Sequence, residues 1–186
     1  MEHYLIEHCS PTLASLKTAN LFNYTFCSED ELANHLEALA STLAPKGVSI
    51  TVLRKRAQSA LIYVYREKKL WADLNNSNAC KILRKNGYSD VSVDAAIAHL
   101  KERFASCGCS KEFPHEIGLF LGYPPADVAG YILNSGKNCK CCGCWKVYCN
   151  ECEAMKTFAK FAKCKEVYKS MFFQKGKTLH QLTIAV

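Results

Sequence analysis

Apolar positions along the chain recur with two periods, and the changes between them divide it into elements. Ser28-Glu-Asp-Glu31 reads as a capping box, in which the serine hydroxyl and the glutamate each meet an unpaired amide. Leu32, Leu36, Leu39 and Leu43 follow at helical spacing until Pro45 and Gly47 end the segment. Ser10 to Phe22 opens with a capping serine and a proline suited to the first helical turn, then runs Ala- and Leu-rich, which predicts a short buried helix. Val48–Leu53 and Ala60–Tyr65 are β-branched and aromatic, joined by the basic stretch Arg54 to Gln58. They predict a hairpin whose second strand is buried on both faces.

Asn78 to Asn86 reads as a helix closed by Gly87. Ser92 to Phe104 reads as another, with Val93, Ala96, Ile97, Leu100 and Phe104 on one stripe before the turn Cys107-Gly-Cys109. Asp127 to Leu133 is helical in pattern and stops at Asn134-Ser-Gly136, and Trp145-Lys-Val-Tyr148 alternates like a strand. Ala154, Phe158, Phe161, Cys164, Tyr168 and Met171 line one side of a long helix whose other side carries lysines. Leu182, Ile184 and Val186 alternate in a terminal strand. The sum is an α+β, or mixed α/β, arrangement with a small sheet of about four strands packed with helices.

Composition narrows the class. A chain of 186 residues with 49% apolar and 22% charged residues forms a single domain, 1–186, with enough core to need no staples. Acids stand where a signal peptide carries bases, and no apolar run reaches membrane-spanning length, so a cytoplasmic protein without a membrane partner is expected. The twelve cysteines then read as reduced thiols, metal ligands or catalytic groups rather than as a disulfide framework. A net charge of +7 favours an acidic partner. No nucleic-acid module accompanies it, and nucleic acid is not the expected partner.

Candidate chemistry concentrates in Phe113-Pro-His-Glu-Ile-Gly-Leu-Phe-Leu-Gly-Tyr-Pro-Pro-Ala-Asp-Val128. Here the break from Gly122 to Pro125 lets the chain reverse and bring His115 and Asp127 together as a base and its orienting carboxylate. Two cysteines precede predicted helices, whose N-terminal dipole would stabilise a thiolate. Cys9 has no acid in the turns that follow, whereas Glu29, Asp30 and Glu31 crowd Cys27, so Cys9 is the expected nucleophile. The plainer alternatives are that Cys9 is a buried filler, that Cys27 is a staple residue against Leu32, and that His115 and Asp127 cap helices begun at Pro114 and Pro124. A second concentration is Cys139 to Cys152, whose C-x-x-C pairs at 139/142, 141/144 and 149/152 could ligate zinc, or form a thiol-rich loop without metal.

The segments Cys9 to Phe22, Phe113 to Val128 and Trp145 to Tyr148 resemble a clostridial family long labelled as a domain of unknown function, whose members include a cysteine-protease homologue that forms amide bonds in closthioamide assembly. The resemblance spans nearly the whole chain. It implies a papain-like fold with a small antiparallel sheet, and a Cys9–His115–Asp127 triad. The reaction it implies is transfer of an acyl (polythioamide) chain from a carrier-protein thioester to an amine or diamine, without metal or other cofactor. The alternatives are a zinc- or iron-binding or redox module built on Cys139–Cys152, and a papain-like peptidase or amidase that uses water in place of the amine.

Overall fold

Helix α1, Glu2–Leu13, buries Leu5, Ile6, Cys9 and Leu13 along one stripe and runs through Pro11 without breaking. The computed structural model describes residues 1–107 and 113–185, and these divide into two compact units. Met1–Lys69 with Lys163–Val186 form the first, and Leu70–Ala162 the second.

In the first unit, the single helix expected from Ser10 to Phe22 is instead the end of α1, a reversal and a strand. Ser15 takes φ 55°, and the amides of Leu16 and Lys17 turn back onto the carbonyl of Pro11. Strand β1, Ala19–Thr25, then buries Phe22 and Tyr24 and exposes Asn23 and Thr25. Leu13, Leu16, Ala19 and Phe22 happen to recur every third residue, which imitates a helix; the alternation from Phe22 onward is the signal that prevails.

Strands β2, Ser49–Arg56, and β3, Ser59–Tyr65, complete an antiparallel sheet of order β1-β3-β2, with a register shift between Val52 and Arg54. The central β3 buries Ala60, Ile62, Tyr63, Val64 and Tyr65, so both of its faces are covered, as its unbroken apolar run predicts. Helix α2, Glu29–Leu43, is capped at Ser28, whose hydroxyl accepts from the Glu31 amide at 3.1 Å, while Glu31 Oε2 accepts from the Cys27 amide at 2.8 Å. The chain leaves it through Gly47, at φ 71°.

The terminal strand expected at Leu182 to Val186 is not formed over the described residues, which exclude Val186. A capping box at Thr178 and Gln181 nucleates a short helix, Leu179–Leu182, and buries Leu179 in the core that α1, α2 and the sheet share. Arg66, only 2% exposed, ties this unit together. Its guanidinium donates to the carbonyls of Thr12 at 2.7 Å, Leu13 at 2.8 Å, Ile184 at 2.8 Å and Lys46 at 3.2 Å. It thereby meets α1 carbonyls that the helix end leaves without an intrahelical partner.

The second unit is helical with one small hairpin. Helix α3, Glu67–Leu74, leads into it, followed by α4, Ser77–Lys85, and α5, Val93–Ser106. The stripe on α5 is buried as its spacing predicts, and Gly87 ends the α4 segment at φ 87°. Cys109 lies outside the described residues. Beyond them come α6, Ile117–Phe120, and α7, Pro125–Leu133, then the paired strands β4, Cys141–Cys142, and β5, Lys146–Val147, and finally α8, Glu151–Lys169. The end of α8 from Lys163 and the π-helical turn that follows it, Ser170–Gln174, belong to the first unit. The strands therefore form a three-stranded sheet and a separate two-residue pair in place of one sheet of about four. No helix among the described residues is long and apolar enough to cross a membrane.

Candidate functional site

The segment from Phe113 to Val128 is held from below by Glu116. This carboxylate, 1% exposed, pairs with the Arg103 guanidinium of α5 and accepts from Tyr88 Oη at 3.1 Å. Burial and the neighbouring carboxylate push the Tyr88 phenol well above the ordinary tyrosine range. Helix α6 then meets α7 closely: a Cβ on Gly118 would lie 2.8 Å from Val128 Cγ2. Gly122, at φ 72°, and the two prolines after Tyr123 make the reversal between these helices.

Asp127, in the first turn of α7, is 3% exposed. It serves the hairpin. Its Oδ1 accepts from the amides of Tyr148 at 2.8 Å and Cys149 at 3.0 Å, and its Oδ2 accepts from Trp145 Nε1 at 2.8 Å. The half-buried His115 ring lies between the rings of Phe113 and Tyr131, at centroid distances of 5.5 and 5.1 Å. Among the described residues no hydrogen bond joins His115 to Asp127, although both border the same cavity. Neither caps a helix through its side chain: α6 begins two residues after His115.

The hairpin forms the other wall. Cys142 pairs with Lys146 and Cys141 with Val147. Trp145 stacks on Tyr123 at 5.1 Å and meets Phe158 of α8 edge-on at 4.5 Å. Lys146 donates to the Gly136 carbonyl at 2.7 Å and sits 5.8 Å from the Tyr131 ring centroid. Between these walls lies a cavity of about 350 Å³, lined by Phe113, His115, Ile117, Gly118, Tyr123, Asp127, Val128, Tyr131, Cys142, Gly143, Cys144, Trp145 and Lys146. Its lining combines four aromatic rings, an imidazole, an ammonium and two thiols, all from the second unit.

The whole of this site falls within one matched family region. The chain belongs to the family described as protein of unknown function DUF3793, whose model matches residues 5–183. No curated protein and no solved structure matches it. All three segments on which the family resemblance rests lie inside the matched DUF3793 region.

Cys9 belongs to the first unit. The expected helix start at Ser10 is not there: α1 begins at Glu2, so Cys9 sits in the helix interior, away from any N-terminal dipole. It is fully buried among Leu5, Ile6, Leu13 and their neighbours, and burial pushes its thiol far above the ordinary range. Those are the surroundings of a packing thiol. Cys27 is exposed beside the acidic first turn of α2.

In the hairpin, Cys142, Cys144, Cys149 and Cys152 are exposed, and Cys139 and Cys141 half-buried. Burial and the nearby Glu151 carboxylate raise the Cys141 thiol. Among the described residues no group of three or more His, Cys, Asp or Glu side chains converges as a metal would require, so the C-x-x-C spacing does not assemble a tetrahedral zinc centre in this geometry. The sequence offers Cys142 and Cys144 as zinc ligands or as part of a thiol-rich loop; their place in one cavity lining with His115 accompanies the Asp127 bonds to the hairpin, which no spacing reveals.

Proposed function

We propose that the chain is a cysteine-dependent acyltransferase whose nucleophile is Cys142 and whose base is His115. The observation that carries this reading is that the Cys142 thiol and the His115 imidazole border one aromatic cavity, while Cys9 is sealed in apolar packing. His115 takes the Cys142 proton as sulfur attacks the carbonyl of an acyl thioester; the donor's C–S bond breaks, and the departing thiolate receives that proton. An amine then attacks the acyl-enzyme, the Cys142–acyl bond breaks, and the amine's proton returns through His115 to the sulfur. Lys146, directly across the strand pair from Cys142, brings a positive charge to the wall where the carbonyl oxygen becomes negative.

Resemblance to the amide-forming cysteine-protease homologue of closthioamide assembly supports transfer to an amine or diamine rather than to water. The chain order His115, Asp127, Cys142 departs from the Cys-His-Asp order of papain-like enzymes, and Asp127 acts by fixing the hairpin. The +7 net charge suits an acidic acyl carrier protein as donor.

Intact-mass spectrometry after exposure to an acyl N-acetylcysteamine thioester tests the reading. One acyl adduct is expected in the wild type and in Cys9→Ala, and none in Cys142→Ala. An adduct that persists in Cys142→Ala overturns it. Products formed with and without a diamine separate amide synthesis from hydrolysis.

A further inference from the structure

Tyr131, near the end of α7, meets both His115 and Lys146. Its ring centroid lies 5.1 Å from that of His115, and the Lys146 ammonium sits over the same ring at 5.8 Å. All three side chains line the cavity. Gly136, at φ 72°, packs so closely on the ring that a Cβ there would lie 3.0 Å from Tyr131 Cζ and 3.1 Å from its Oη. The Gly136 amide donates to the Tyr131 carbonyl at 2.9 Å, and the Gly136 carbonyl accepts from Lys146 at 2.7 Å. The turn that closes α7 thus fixes the ring and the ammonium together.

A lysine ammonium on a four-carbon stem is mobile unless something holds it. Asp127 is the one acid in the cavity lining among the described residues, and its oxygens accept from Trp145 and two amides instead. A carboxylate would in any case neutralise the lysine it held. An aromatic face attracts the ammonium through its quadrupole and leaves the positive charge uncompensated. Gly136 takes one of the three ammonium donors, so two stay available to a substrate oxygen. Cys142 and Lys146 are direct partners across the strand pair, which puts their side chains on one face.

We infer that Tyr131 is a positioning residue whose ring holds the Lys146 ammonium where a carbonyl oxygen becomes negative on attack by Cys142, an inference that rests on the acyl-transfer reading above. Its contact with His115 sets the same ring against the proton acceptor, so cation and base keep a fixed spacing. Tyr131 exchanges no proton and forms no covalent bond, and its hydroxyl is dispensable.

The test compares two reactions at Cys142, both followed by mass spectrometry. Acylation by an acyl N-acetylcysteamine thioester builds a negative oxygen, whereas alkylation by iodoacetamide displaces iodide and builds none. Tyr131→Leu should slow acylation about tenfold, the value of a desolvated cation–aromatic contact, and change alkylation by less than about twofold. Tyr131→Phe, which keeps the ring, should restore most of the acylation rate. In a Lys146→Met background the added Tyr131→Leu change should slow acylation by about twofold or less, because the two residues act as a unit. Tyr131→Met supplies a second non-aromatic side chain should leucine unfold the protein. The inference is overturned by wild-type acylation in both non-aromatic variants, by Tyr131→Phe as slow as Tyr131→Leu, by alkylation slowed as much as acylation, or by the full loss persisting without Lys146. Each of these outcomes leaves the acyl-transfer reading intact. If Cys142→Ala keeps the acyl adduct, that reading itself falls, a separate result read from a separate variant.

Discussion

Trp145 Nε1 donates to Asp127 Oδ2 at 2.8 Å, which ties the tip of the cysteine-rich hairpin to the first turn of α7. Two further bonds reach the same carboxylate from the backbone of Tyr148 and Cys149. Asp127→Ala should therefore destabilise the second unit by about 3 kcal/mol, since hydrogen bonds to a charged group contribute about 1.5–3 kcal/mol each and do not add fully. Asp127→Asn keeps an acceptor for the two amides but turns a donor toward Trp145, so it should cost less than alanine. Chemical denaturation gives the order, and amide hydrogen exchange at Tyr148 and Cys149 should accelerate in both variants.

Cys9 and the hairpin thiols predict opposite reactivity. Brief alkylation of the native protein should modify Cys142, Cys144, Cys149 and Cys152 and leave Cys9 untouched until denaturant is added. Rapid native modification of Cys9 would contradict its burial. Replacing it with serine should cost more stability than alanine does, because the hydroxyl enters an apolar core.

Arg66 carries a second prediction about stability. Arg66→Met removes four hydrogen bonds to carbonyls that are buried or half-buried, and a loss of about 3–5 kcal/mol is expected, seen as a lower denaturant midpoint. Arg66→Lys keeps the charge but cannot span four acceptors with one ammonium, so it should restore only part of the loss.

Alkaline pH should weaken the fold. Burial pushes the Tyr123 and Tyr168 phenols up to about 12 from the ordinary 10.0, with nearby Cys144 and Cys164 adding to the respective shifts. A phenol that ionises later in the folded chain than in the unfolded one leaves stability intact below pH 10. Stability then falls as pH rises from 10 toward 12, by at most about 1.4 kcal/mol per pH unit for each such group, and by less for the more exposed Tyr168. Tyr123→Phe should flatten that decline in a series of urea melts.

Gly130→Ala tests the contact behind Tyr148. The added methyl would meet Tyr148 Cβ and Cγ at 2.6 Å, so either α7 or the hairpin must move. Loss of acyl-adduct formation together with reduced stability is expected, with Gly176→Ala as a poor control for space because it adds backbone strain at φ 63°. Lys137→Ala, outside the cavity lining, is the better comparison.

The fold was legible where two local signals agreed. The α2 helix has both a capping box and a leucine stripe, and the β2–β3 hairpin has both β-branched runs and a break between them; each is found within a few residues of its expected place. The signals conflicted from Ser10 to Phe22, where Ala- and Leu-rich composition and a proline concealed a reversal at Ser15, because a left-handed serine has no distinctive composition. Of the site, the reversal between His115 and Asp127 could be seen, since Gly122 and the two prolines after Tyr123 mark a break in the chain. The partner of Asp127 could not. Its three donors come from residues 18 to 22 positions later, and long-range pairing of that kind leaves no periodic trace in a single sequence.

Arg66 also bears on the order in which the chain can mature during synthesis. It gathers carbonyls from Thr12, Lys46 and Ile184, and Leu179 joins the same core. The first unit is thus interrupted in sequence by all of Leu70–Ala162. A ribosome delivers the sheet and α1 early but their last packing partners near the end, so the apolar surface left by Leu179 must wait through the translation of the second unit before it is covered.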